Sequence, residues 1–291
     1  MFKRKILSKL EAWKQDERHK PLILRGARQV GKTTVVNEFG SQFDNYLYFN
    51  LEMSESVRLF EMDIPLNDLV NMLFASLGKS QKKGSTLIFI DEIQNSPKTI
   101  ALLRYFYEQR PDLYVIAAGS LLENLVDVNV SFPVGRVMYL ALRPCSFYEF
   151  LGAIGKNNLL TILSQKAEYS IAFHEQLMHQ FNQYTIIGGM PEAVQHYAET
   201  QDIIAIEDVY ETLVQAYKDD SEKYARSNKL TDVVRFILSY GWAFSGETIT
   251  LGNFANSGYK SREVGEAFRL LEKAMILELV YPVSSTQKIG R

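Results

Sequence analysis

A chain of 291 residues is long enough for about two domains of ordinary size with a buried core. Hydrophobic residues at 46% and charged residues at 23% exclude a disordered chain, and a net charge of −2 gives no global attraction to nucleic acid or to an anionic membrane. A single cysteine, Cys145, excludes an intramolecular disulfide framework and a cysteine-based zinc site.

The basic start Met1-Phe2-Lys3-Arg4-Lys5 is followed by no long apolar run, so it does not read as a secretory signal. Ile6, Leu7, Leu10 and Trp13 recur at helical spacing and predict an amphipathic helix over 3–15, packed on the domain that follows. No stretch of about 18 apolar residues offers a membrane span, and the expected location is cytoplasmic.

Five apolar runs come next, Pro21–Leu24, Tyr46–Leu51, Thr86–Ile90, Leu113–Ala118 and Val137–Leu142. Helix-length segments separate them at Thr33–Phe39, Leu66–Leu77 and Ile100–Glu108. Near-continuous apolar strands alternating with helices predict an α/β fold, a parallel sheet covered on both faces. From Ser146 to about Tyr197 the pattern turns helical, broken by Gly188-Gly189-Met190-Pro191. His174 and His179 are five apart, off a common helix face, and do not read as a metal site. From about Ile206 come helices Ile206–Tyr217 and Leu230–Ser239, a β-like Glu247–Leu251, a turn at Ser257-Gly258, helix Arg262–Met275 and an apolar Ile276–Tyr281. That order is the order of a winged helix-turn-helix. The expected divisions are a core over 1–144, a helical segment over 145–204, a winged-helix segment over 205–285 and a tail over 286–291.

Gly26-Ala27-Arg28-Gln29-Val30-Gly31-Lys32-Thr33 matches G-x-x-x-x-G-K-[ST] in full, after an apolar strand and before a helix. Glycines let the backbone curl so that successive N–H groups face phosphate oxygens, at the positive end of a helix dipole. Lys32 is expected to reach the β- and γ-phosphates, and the Thr33 hydroxyl to ligate magnesium. Thr86–Ile90 ends in Asp91-Glu92, two carboxylates at the carboxyl end of a strand, where open α/β sheets bind ligands. An acidic pair after a strand can also be a helix N-cap. With the upstream loop, Asp91 reads as the magnesium-side residue and Glu92 as the general base that polarises water. A G-protein would carry Asn-Lys-x-Asp, whereas Asn228-Lys229-Leu230-Thr231-Asp232 is one residue too long. ATP hydrolysis is the expected reaction. Three further residues stand beside this reading. Ser120 could sense the γ-phosphate or simply end a strand. Arg136 could act as an arginine finger across a subunit interface, which implies self-association, or be a surface arginine. Gln94 could position water or relay nucleotide state.

Gly26–Thr34 (GARQVGKTT), Asp91–Gln94 (DEIQ), Ala118–Leu122 (AAGSLL), Arg143–Leu151 (RPCSFYEFL) and Gly188–Glu192 (GGMPE), in this order, resemble a large family of bacterial and archaeal AAA-type ATPases. The resemblance runs over essentially the whole chain. It implies a three-layer P-loop NTPase core of the ASCE/AAA-like kind, a small α-helical lid and a winged-helix domain. Thr34 enters as part of the loop motif. Gly189-Met190-Pro191 resembles the Gly-x-Pro element of signal-transduction ATPases, which implies that Pro191 contacts the nucleotide base; an ordinary helix-breaking turn is the alternative. Family members carry a further nuclease-like region, and the chain stops at Arg291 without it, as a truncated protein or a shortened natural variant would. The expected function is therefore an ATP-driven switch or motor using ATP and magnesium. The alternative is an ATP-regulated DNA-binding protein, supported by Tyr259, Lys260 and Arg262 but weakened by 11 Lys and Arg against 9 Asp and Glu over Lys218–Arg291.

Overall fold

The computed structural model describes residues 2–119, 133, 135–165, 171–225 and 227–281. The five apolar runs become β1 (Leu22–Arg25), β2 (Asn45–Asn50), β3 (Thr86–Asp91), β4 (Leu113–Gly119) and β5 (Met138–Ala141). All pair in parallel in the spatial order β2-β3-β4-β1-β5. Burial follows position in that order. Every residue of the inner strand β3 is buried, whereas edge strand β2 alternates between buried and half-buried, and edge strand β5 is mostly exposed. Inner strands covered on both faces read as unbroken apolar runs, and edge strands have less to hide.

Among the described residues before β5 the helices are α1 (Ile6–Gln15), α2 (Lys32–Gly40), α3 (Ser54–Phe60), α4 (Leu66–Ser76) and α5 (Pro97–Gln109). α1 buries Ile6, Leu7, Leu10 and Trp13, the spacing read from sequence, but it starts at Ile6 and leaves Arg4 in the segment leading into it. α5 has a built start: Ser96 accepts from the Thr99 amide and Pro97 occupies the first turn. Leu69, Leu73 and Phe74 of α4 and Leu103 and Phe106 of α5 join Leu47, Phe49, Ile88 and Ile90 of the sheet in one core. Each such side chain contributes roughly 1.5–3 kcal/mol by leaving water. α3, which covers this core with Phe60, was not among the predicted helices.

Past β5 come α6 (Phe147–Ala153), α7 (Asn157–Ser164), α8 (His174–Ile187) and α9 (Pro191–Thr200). The break between α8 and α9 is the Gly-Gly-Met-Pro run, with Gly188 at φ 76° ending one helix and Pro191 opening the next. Cys145, Phe150, Ile187, Ala193, Val194 and Tyr197 form the core of this region. Burial pushes the Cys145 thiol up to about 12, as expected of an inert core cysteine.

The chain divides into two compact units, Met1–Leu213 and Val214–Arg291, with the division inside α10 (Glu207–Tyr224). In the second unit α11 (Asn228–Tyr240), capped by Ser227, packs with α12 (Ser261–Lys273). Among the described residues Glu247–Leu251 and Ile276–Tyr281 pair in no ladder. After α12 the Ile276 amide donates to the Leu271 carbonyl and the Leu279 amide to Glu272 Oε1, so these groups cap a helix end. A short apolar run becomes a strand only where a neighbour takes its backbone groups. No helix among the described residues is long and apolar enough to cross a membrane.

Candidate functional site: a loop and a carboxylate pair at one edge of the sheet

β1 and β3 are not neighbours; β4 lies between them, and all three carry their carboxyl ends to the same edge. The loop after β1 and the carboxylates after β3 therefore meet across β4. Gly26 fits because a side chain there would overlap the Leu142 carbonyl oxygen. Gln29 at φ 62° and Gly31 at φ 88° take left-handed conformations, the alternation that gathers backbone N–H groups into a concavity. Gly31 caps α2 with no side-chain bond, which leaves the first amides of the helix to an anion.

Lys32 is buried, and its ammonium donates to the carbonyl oxygens of Gly26 and Ala27, both at 2.9 Å, so the loop closes around it. Burial pulls the Lys32 ammonium below its ordinary pKa, opposed by the charges of Glu92 and Asp91. The Thr33 hydroxyl donates to Asp91 Oδ2 at 2.6 Å, which joins the start of α2 to the end of β3. Burial raises Asp91 above the usual carboxylate range, against the Thr33 hydroxyl and the Glu92 amide that stabilise its charge. That amide donates to Asp91 Oδ1 at 3.1 Å. Glu92 itself has φ 52°, a conformation uncommon outside glycine, and Gln94 Nε2 donates to its Oε2. Burial, with help from Asp91, raises Glu92 as well, although the Gln94 bond opposes it. Gln94 Oε1 is buried with no hydrogen-bond partner among the described residues.

Pro191 stands beside the loop, its Cγ 3.9 Å from where a Cβ on Gly31 would be. Arg136 is at the amino end of β5, the opposite edge of the sheet from Gly26–Thr33, and its Nε donates to Glu108 Oε1 at 3.2 Å. Ser120 follows the end of β4 and lies outside the described residues.

Three residues here escaped the sequence reading. Tyr48 on β2 has its phenol raised by burial and then by Asp91, Glu92 and Glu52, which puts it beside the carboxylates. Arg4 and Glu149 form an ion pair of 2.9 Å, 6% and 8% exposed, next to the loop. The spacing Ser146-x-x-Glu149 is a capping-box signal and could have marked the start of α6. Nothing in the sequence pairs Glu149 with Arg4.

Burial pushes the Glu149 carboxyl up, but the Ser146 and Lys5 amides and the Arg4 guanidinium outweigh it and hold the pKa below its ordinary value. A carboxylate lowered on folding adds stability above its unfolded pKa and loses it as pH falls through the folded one. Glu149→Gln is expected to cost about 3 kcal/mol at neutral pH, because it leaves Arg4 buried without a counter-charge. Denaturant melts from pH 7 downward should show the gap to the parent closing below the ordinary carboxylate range. A gap that stayed constant would mean the charge on Glu149 is irrelevant.

A five-stranded parallel sheet in this order, with a glycine loop and a helix after β1, is a P-loop NTPase-like fold. Residues 18–151 match the family model described as an AAA domain, which supports an AAA-type P-loop ATPase family for that part of the chain. Residues 178–290 match a second model, described as a domain of unknown function. A Walker-type ATPase of Pyrococcus abyssi has a similar fold at 16% identity, with a TM-score of 0.53 over 94% of this chain and 90% of that one. Drosophila ORC bound to DNA aligns at 14% identity, with a TM-score of 0.35 over 94% of this chain and 68% of that one. None of the curated proteins matches the chain.

Proposed function

We propose that the chain binds ATP with magnesium and hydrolyses its β–γ phosphoanhydride bond, as a switch or motor. The 2.6 Å bond between Thr33 and Asp91 carries this reading, because it brings a phosphate-binding loop and a strand-end carboxylate to one point with Glu92 next to them. The Gly26–Thr34 segment wraps the phosphates with its amides, and Lys32 turns its ammonium from the loop carbonyls to the phosphate oxygens. Magnesium needs one or two protein oxygens beside phosphate and water, and the Thr33 hydroxyl and Asp91 carboxylate fit that requirement. When bound, the metal offsets charge on the β- and γ-phosphates. Glu92 takes a proton from the water that attacks the γ-phosphorus, and ADP leaves with the bond's electron pair. Gln94 steadies Glu92 through its amide, Ser120 senses the γ-phosphate, and Pro191 borders the base. The helices over 145–204 act as a lid. Phosphate release measured with and without magnesium tests this reading; a protein that neither binds nor cleaves ATP would sink it.

Arg136 can serve catalysis only from a second copy, since its own nucleotide site is at the far edge of the sheet. Arg136→Ala is then expected to bind ATP as the parent does and to lose roughly 10³-fold in turnover. Mixing it with Lys32→Ala should restore part of the activity. Turnover that is independent of protein concentration and indifferent to Arg136→Ala would leave a surface arginine paired with Glu108.

A second reading, ATP-regulated DNA binding through a winged helix over 205–285, is favoured by the exposed face of α12, where Arg262, Arg269 and Lys273 share one side. Glu266 interrupts that face. DNA that binds the protein and changes its phosphate release would favour this reading; DNA without effect would remove it.

A further inference from the structure

Arg4 reaches three segments at once. Its Nη1 donates to the Val30 carbonyl at 3.0 Å, its Nη2 to the Arg143 carbonyl at 2.7 Å and its Nε to Glu149 Oε1 at 2.9 Å. Only a guanidinium offers such a rigid planar fork; an ammonium is a point charge that cannot span these three acceptors. Glu149 is fully engaged in return, accepting from the Lys5 amide at 2.8 Å, the Ser146 amide at 2.8 Å and the Ser146 hydroxyl at 3.0 Å. The pair is thus neutral and closed on itself. What it adds to the loop beside it is orientation.

Val30 is the residue before Gly31. In a trans peptide the C=O and the following N–H point in opposite directions. Fixing the Val30 carbonyl on Arg4 therefore turns the Gly31 amide to the side away from Arg4. Arg4 Nη1 is 3.7 Å from where a Gly31 Cβ would stand, and Pro191 flanks the same spot. The two flanks are connected, because the Cys145 amide donates to the Gly189 carbonyl at 2.6 Å, just ahead of α6.

We propose that Arg4 is a positioning residue of the nucleotide site: it presets the Gly31 amide for a phosphate oxygen and ties the loop to the 143–149 segment. This rests on the ATP reading above. Arg4 touches no reacting atom, so its loss should fall on affinity.

Two variants test this. Arg4→Lys keeps a cation for Glu149 but cannot also reach Val30. Arg4→Met with Glu149→Leu removes both charges together, a replacement that buried ion pairs often tolerate without loss of stability. Calorimetric titration with ADP and magnesium, melting curves and steady-state ATP hydrolysis are to be measured on the full chain. The expected result is a Kd for ADP and a KM for ATP raised about tenfold, the worth of one hydrogen bond to a charged group, with kcat at saturation within about threefold of the parent. A purely structural pair would lower the melting temperature and leave Kd unchanged below the melt. If Arg4→Lys fails to fold, the paired variant decides. Parent-like Kd in a folded variant overturns the proposal and spares the ATP reading. A parent that binds no nucleotide removes both.

Discussion

Lys32→Ala is expected to weaken ATP binding by on the order of a hundredfold or more, because hydrogen bonds to charged groups are worth about 1.5–3 kcal/mol each and Lys32 would make at least one to each of two phosphates. The loss has a second source inside the protein. The ammonium closes the loop on the Gly26 and Ala27 carbonyls, so its removal loosens the cradle before any ligand arrives. It also removes the cation that opposes the rise of Asp91 and Glu92, and both carboxyls should then be harder to ionise. Calorimetric titration with ATP and magnesium reads the effect. A dissociation constant equal to the parent's would show that the phosphates bind elsewhere.

Glu92→Gln should separate binding from turnover. The amide keeps the length and shape of the side chain and lacks a basic oxygen, so ATP affinity is expected to stay near the parent's while kcat falls about a hundredfold or more, the usual worth of a positioned base. The fall has a structural rationale beyond the residue's identity. Glu92 is held in a left-handed conformation directly after the β3 ladder, with Gln94 donating to its carboxylate and its own amide tied to Asp91. A base must be held in place to meet its water, and these contacts hold Glu92. Single-turnover phosphate release, alongside a binding titration, distinguishes the cases. Turnover at the parent rate would move the role of base elsewhere, and Gln94→Ala would be the next variant to measure.

The sheet and the loop were legible because their signals are local. An inner parallel strand reads as an apolar run, as Thr86–Ile90 does, since both faces are covered. The turn from β1 into α2 curls its backbone through left-handed Gln29 and Gly31, so the spacing of Gly26, Gly31, Lys32 and Thr33 is set within eight residues. Glu92 and Gln94 lie two apart, and their contact is almost as local. Segments whose form depends on a neighbour read less well. Glu247–Leu251 and Ile276–Tyr281 have strand-like composition, yet the hydrogen bonds at the end of α12 take the amides of Ile276 and Leu279.

By itself the sequence determined that β1 runs into a glycine-bearing turn and a helix, that β3 ends in two carboxylates, and that helices cover a parallel sheet. Tertiary structure alone decided that β4 enters between β1 and β3, because strand order depends on how crossovers pack and not on the composition of any strand. It alone brought Arg136 into contact with Glu108. It alone brought Arg4 to Val30, 26 positions away, and to Glu149, 145 positions away. A buried guanidinium has to find acceptors wherever the folded chain offers them, and the spacing of residues along the chain carries no trace of that search.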